Sequence, residues 1–192
     1  MGFRKPPDFS ALIVRIVHAL RELDLPFMLI GGQAVLLHGQ PRLTEDIDIT
    51  LGVHPDALPS VLEACANADL EILPENVAEF VRKTFVLPAR DRASSVRIDL
   101  IFSSLPYERQ AIDRAVDVDL TGVSIPIASA EDLILHKLFS GRPRDIEDIH
   151  GVVQIKGDTI EWEYIERWTD EFSLVPGREN LPDILSEIRS NT

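Results

Sequence analysis

Asp46-Ile47-Asp48-Ile49-Thr50-Leu51, with Phe27-Met28-Leu29-Ile30-Gly31-Gly32 upstream of it, decides how this chain is read. In the first stretch polar and apolar residues alternate. Successive side chains of a strand point to opposite faces, so Asp46 and Asp48 share one face while Ile47 and Ile49 share the other. The second stretch is a short apolar strand that runs into two glycines. Gln33 to His38 then reads as a short helix, ended by Gly39 with Pro41 beyond. A glycine pair is by itself an ordinary turn. Its position adds weight: it leaves a buried strand, opens a helix, and stands fourteen residues before Asp46. Such a turn lets a backbone come close to a phosphate, and the helix start offers free N–H groups and a positive dipole end.

Outward from this core, the composition sets bounds. The chain has 192 residues, 45% of them hydrophobic and 27% charged, which is enough to bury a sizeable core. No apolar run approaches the length of a membrane span. The first residues, Met1 to Pro7, lead into a helix containing Arg15 and His18 rather than an apolar signal-peptide core. Cys65 is alone, so no disulfide framework is expected, and it reads as a packing residue. These features place the expected location in the cytoplasm. The net charge of -13 opposes a broad nucleic-acid groove, because such affinity comes from basic residues displacing counterions. Arg82, Lys83, Arg90, Arg92 and Arg97 form a local basic cluster, equally readable as a solvated face or as a phosphate contact.

Periodicity organises the rest. Phe9 to Leu23 has helical spacing, with Asp8 or Ser10 as a cap. Pro55 to Ala68 and Asn76 to Lys83 read as helices, Phe85–Leu87 and Val96–Phe102 as strands around a charged turn at Ala89–Arg92. Tyr107 to Ala115 reads as a helix and Val123–Ile127 as a strand. From Ser129 the pattern is helical throughout: Ser129–Ser140, Asp145–Ile155, Ile160–Phe172 and Pro182–Arg189. The expected fold class is therefore α/β (α+β): a mixed domain over residues 1–128, then a helical portion over 129–192 packed on it.

Charged residues in apolar surroundings are the chemical candidates. Two aspartates on one strand face repel unless a cation lies between them, and hard oxygen donors suit Mg²⁺. Asp99 lies inside Val96-Arg97-Ile98-Asp99-Leu100-Ile101-Phe102 and is costly to bury without a partner. If that strand lies beside Asp46–Leu51, a three-carboxylate cluster results, and Asp99 can act as a base toward an incoming hydroxyl. The competing reading pairs Asp99 with Arg97. Lys137 sits on the edge of an apolar helix face, where it either meets an anion such as a triphosphate or snorkels to water. Asp145 lies nearer the Ile146, Ile149, Val153 stripe than Asp148 does, which makes it the better candidate of the two. No histidine falls at zinc-site spacing.

Taken together, Leu29-Ile30-Gly31-Gly32, Asp46-Ile47-Asp48 and the later Asp99 resemble the signature of the DNA polymerase β-like nucleotidyltransferase superfamily. Gly31-Gly32-Gln33-Ala34-Val35, Arg42-Leu43-Thr44-Glu45-Asp46-Ile47-Asp48, Lys137 and Arg144-Asp145-Ile146-Glu147-Asp148 look like its AbiEii-type branch, which includes toxins of abortive-infection and type IV toxin–antitoxin systems. The resemblance covers roughly residues 27–150. It implies a nucleotidyltransferase-type mixed sheet flanked by helices. It also implies transfer of a nucleoside monophosphate from an NTP to an acceptor hydroxyl. Gly31, Gly32, Arg42 and Thr44 would bind the nucleotide. Asp46, Asp48 and Asp99 would hold Mg²⁺, Lys137 would contact the triphosphate, and Asp145 would support the site. The acceptor is RNA, a protein or a small molecule such as an antibiotic, and a cognate antitoxin is a possible partner. A catalytically idle nucleotide- or partner-binding protein of the same fold is the alternative from another class. Gly-Gly replaces the commoner Gly-Ser here, and the chain is shorter than typical AbiEii toxins.

Overall fold

A computed structural model describes residues 8–41, 43–103 and 106–190. Arg42, assigned above to the nucleotide, lies outside the described residues. The chain divides into two compact units. One comprises Met1–Leu29 and Thr44–Ile127; the other comprises Ile30–Leu43 and Ala128–Thr192.

The first unit is a mixed α/β structure. Its strands are β1 (Phe27–Leu29), β2 (Asp46–Leu51), β3 (Leu70–Ile72), β4 (Val86–Asp91), β5 (Arg97–Ile101), β6 (Val116–Leu120) and β7 (Val123–Ile127). Among the described residues they form one sheet in the order β3-β4-β5-β2-β1-β7-β6. The β2–β5 and β1–β7 pairs are parallel and the other pairs antiparallel. The alternation read from β2 is borne out: Ile47, Ile49 and Leu51 are buried, as are Ile98 and Leu100 on the neighbouring β5. One face of the central strands is thus sealed by packing, which pins the register and commits Asp46 and Asp48 to the other face.

Helices of this unit are α1 (Phe9–Glu22), α3 (Leu58–Asn67), α4 (Val77–Thr84) and α5 (Pro106–Asp113). Asp8 caps α1 by accepting the Ala11 N–H at 3.1 Å, and Leu12, Ile13, Ile16, Val17 and Leu20 form its buried stripe. Pro55–Ala57 is a 3-10 turn rather than the start of α3. Cys65 is 2% exposed, and burial pushes its thiol up to about 12, so it packs and does not react.

Three local expectations need correction. The charged turn placed at Ala89–Arg92 is too early, because β4 runs through Asp91 and pairs with β3 on one side and β5 on the other. Asp91 is tolerated there, 3% exposed, because Arg15 forms an ion pair with it and Ser94 hydrogen-bonds to it. Leu70–Ile72 and Val116–Leu120 are additional strands. The first is three residues long, too short to show a period. The second carries two aspartates and lies at the sheet edge, where charge is tolerated.

The second unit is helical: α2 (Gly31–His38), α6 (Ala130–Ser140), α7 (Pro143–Lys156), α8 (Trp162–Ser173) and α9 (Leu181–Ser190). Helix α6 is its hub, buried nearly all round, with α2, α7, α8 and α9 packed against it. The Ser129 hydroxyl accepts the Asp132 N–H at 3.1 Å, and Gly141 ends the helix with φ +69°. His38 donates from Nε2 to the Ala128 carbonyl at 2.7 Å. Burial holds its pKa below the ordinary histidine value. Among the described residues no helix is long and apolar enough to cross a membrane.

Candidate active site

In the sheet unit, the parallel register of β2 and β5 sets Asp46 opposite Arg97 and Asp48 opposite Asp99. Paired residues on parallel strands stand about 4.8 Å apart and project to the same side. Asp46, Asp48, Arg97 and Asp99 therefore share the sheet face opposite the sealed one. Asp46 and Asp48 are half-buried, and the Asp99 side chain is 20% exposed. The Thr44 hydroxyl donates to the Asp46 carboxylate at 3.1 Å and its carbonyl at 3.2 Å, which orients the first aspartate as the chain enters β2.

The third carboxylate already has a partner. Arg97 donates from Nε to both Asp99 oxygens at 3.1 Å, and its Nη2 lies 3.0 Å from Oδ1. Hydrogen bonding and charge from Asp99, with further attraction from Asp46 and Asp48, hold the Arg97 guanidinium pKa above its ordinary value. The donor chemistry fits a hard divalent cation: Asp46, Asp48 and Asp99 all offer carboxylate oxygens from this face. The three are aligned but not gathered. Among the described residues no three histidine, cysteine or acidic side chains converge as a metal centre requires.

In the helical unit, Gly31 opens α2 with φ +61°, in the left-handed region that favours glycine, and Gly32 is buried in its first turn. The helix thus begins on the glycine pair, two residues earlier than the pattern suggested. Lys137 leans inward. It is 6% exposed and meets Asp145 at 2.8 Å and Asp148 at 2.7 Å. Asp145 is clasped a second time by Arg142 Nε at 2.6 Å. The anion demanded by the buried lysine is thus supplied twice by the protein. Asp145 and Asp148 are both buried, 1% and 8% exposed, so the preference for Asp145 by helix position understates Asp148. Beside them, Asp132 accepts hydrogen bonds from Ser129 at 2.8 Å and from Tyr164 at 2.7 Å. His136 is half-buried, and desolvation, aided by the Lys137 charge, brings its pKa to about 4.

Burial by itself would raise the Asp145 pKa. Hydrogen bonds from Arg142, Lys137 and Ser140 and the Lys137 charge outweigh it and bring the carboxyl to about 2. A folded pKa below the unfolded one gives stability that is present above about pH 4 and is lost as pH falls toward 2. Urea unfolding between pH 5 and pH 2 is expected to show that loss, and Asp145→Asn to flatten the slope. An unchanged slope in the variant would remove Asp145 from the acid response.

Sequence reasoning underweighted two features. The Arg97–Asp99 clasp was signalled by i, i+2 spacing on one strand face. The second carboxylate on Lys137 was signalled by Asp145 and Asp148 three apart on one helix.

The family model "Nucleotidyltransferase of unknown function (DUF6036)" matches residues 11–181. The chain belongs to this family. It is a nucleotidyltransferase, and its superfamily membership agrees with the motifs read above. No match was found among the curated proteins. Solved structures resemble this nucleotidyltransferase in fold. An antigenic nucleotidyltransferase-like protein from Paracoccidioides brasiliensis is 19% identical, with 94% of each chain covered and a TM-score of 0.54. The lincosamide antibiotic adenylyltransferase LnuA in its lincomycin-bound form is 17% identical, covering 79% of this chain and 99% of its own, with a TM-score of 0.53. ANT(2'')-Ia in complex with adenylyl-2''-tobramycin is 16% identical, covering 96% and 99%, with a TM-score of 0.51.

Proposed function

We propose that this nucleotidyltransferase moves a nucleoside monophosphate from an NTP to an acceptor hydroxyl in a Mg²⁺-dependent reaction. The observation that carries this reading is the β2–β5 register, which aligns Asp46, Asp48 and Asp99 on one sheet face. In the reaction the acceptor oxygen bonds to the α-phosphorus, the bond to the bridging oxygen breaks, pyrophosphate leaves and the hydroxyl proton passes to a base. Asp46, Asp48 and Asp99 would hold the cation, which when bound offsets charge developing on the phosphate oxygens. Asp99 is also the candidate base. Gly31 and Gly32 bind phosphates through backbone N–H groups. Thr44 orients Asp46. Lys137, fixed by Asp145 and Asp148, is the candidate contact to the triphosphate.

A small-molecule acceptor is favoured over RNA by the net charge of -13, which attracts cations and repels polyanions. The antibiotic-modifying neighbours support the same choice. The finer reading, an AbiEii-type enzyme serving as the toxin of a type IV pair, is supported by the order of the motifs. Its mark would be a cognate partner protein that blocks transfer. The test is incubation with each radiolabelled triphosphate plus cationic antibiotics, total protein or total RNA. Label is expected to move to a small molecule only when Mg²⁺ is present. Transfer that persists in chelator would refute the cation dependence, and labelled RNA would overturn the acceptor class.

A further inference from the structure

Asp48 and Asp99 stand in register with Asp46 on the same face, and one side chain already occupies Asp99. The Arg97 guanidinium holds Asp99 through a fork of two Nε contacts and one Nη2 contact. It also stands on β5 opposite Asp46 and draws attraction from Asp46 and Asp48. Arg97 thus supplies countercharge to this acidic face. A guanidinium and a divalent cation that satisfy the same carboxylates exclude each other, because each needs the same lone pairs.

We propose that Arg97 is a positioning residue that competes with the divalent cation for Asp99, holding the site apart until the cation displaces it. This rests on the proposed function, since it assumes that Asp46, Asp48 and Asp99 are the ligands. Release costs little packing. The Arg97 side chain is 56% exposed, and it lines a cavity of about 560 Å³ whose walls include Leu73, Pro74, Glu75, Phe80 and Pro88. The guanidinium has open volume to enter without moving the core. The latch keeps three carboxylates from repelling one another when no cation is present.

The test is Mn²⁺ titration of the full chain without nucleotide, read by the loss of the free-ion electron paramagnetic resonance signal. Arg97→Gln removes the competitor and the charge. It is expected to tighten Mn²⁺ binding on the order of tenfold, the scale of removing one positive charge beside a divalent ion in a solvated site. Arg97→Lys keeps the charge and loses the fork, and is expected to fall between Arg97→Gln and wild type. A merely structural arginine would leave affinity unchanged or weaken it, and either result overturns the proposal. Asp46→Asn with Asp48→Asn separates the two ideas. If that variant binds Mn²⁺ as the wild type does, the proposed metal site fails and the latch with it. If it loses binding while Arg97→Gln matches wild type, only the latch is overturned.

Discussion

Asp46→Ala combined with Asp48→Ala is expected to lower nucleotide transfer on the order of a thousandfold or more, while the fold survives. The activity loss follows from removing two of the three carboxylates that would hold the cation, which in turn would offset charge in the transition state; losing a single stabilising group there already costs about 10²–10³ in other enzymes. Survival of the fold follows from position. Both side chains lie on the half-open face of β2, whereas Ile47, Ile49 and Leu51 hold the strand in the core. Removing two like charges also relieves repulsion, so the stability change is expected to stay within about 1 kcal/mol. Thermal unfolding and labelled-nucleotide transfer measure the two halves separately. Transfer at the wild-type rate in a folded double variant would remove these aspartates from the mechanism.

Lys137→Met is expected to cost about 3 kcal/mol of stability, the largest effect of any single charge change considered. The reason is the pair it leaves behind. Asp145 and Asp148 are 1% and 8% exposed and both touch the lysine amine. Breaking a buried ion pair by deleting one partner strands the other charge in a poor solvent. Arg142 still holds Asp145, which limits the cost on that side. Adding Asp148→Asn to Lys137→Met is expected to recover much of the loss in urea unfolding. If transfer remains abolished in that recovered double variant, Lys137 acts on the triphosphate as well as on the fold. If transfer returns, its role is structural.

Much of this was legible from residue order. The alternation in Asp46–Leu51 determines which face is buried, because a strand has a period of two and Ile47 and Ile49 have nowhere else to go. The helix read over Ser129–Ser140 matches α6, which Ser129 caps. What the sequence leaves open depends on pairing across long separations. Asp91 reads as a turn residue until Arg15, seventy-six positions away, is seen to neutralise it. Leu70–Ile72 is a strand only because β4 offers it a partner. Arg97 could be a phosphate contact, a solvated charge or a partner for Asp99, and spacing alone permits all three. The structure shows the pairing with Asp99.

Three carboxylates converging on one cation are the core of the proposed mechanism. The direct measurement is anomalous X-ray diffraction from crystals of the chain grown with Mn²⁺ and a non-hydrolysable triphosphate. The account predicts an anomalous peak bonded to Asp46, Asp48 and Asp99, with the Arg97–Asp99 hydrogen bonds broken. An ion bound away from these carboxylates, or Asp99 still clasped by Arg97 beside a fully occupied ion, would contradict it.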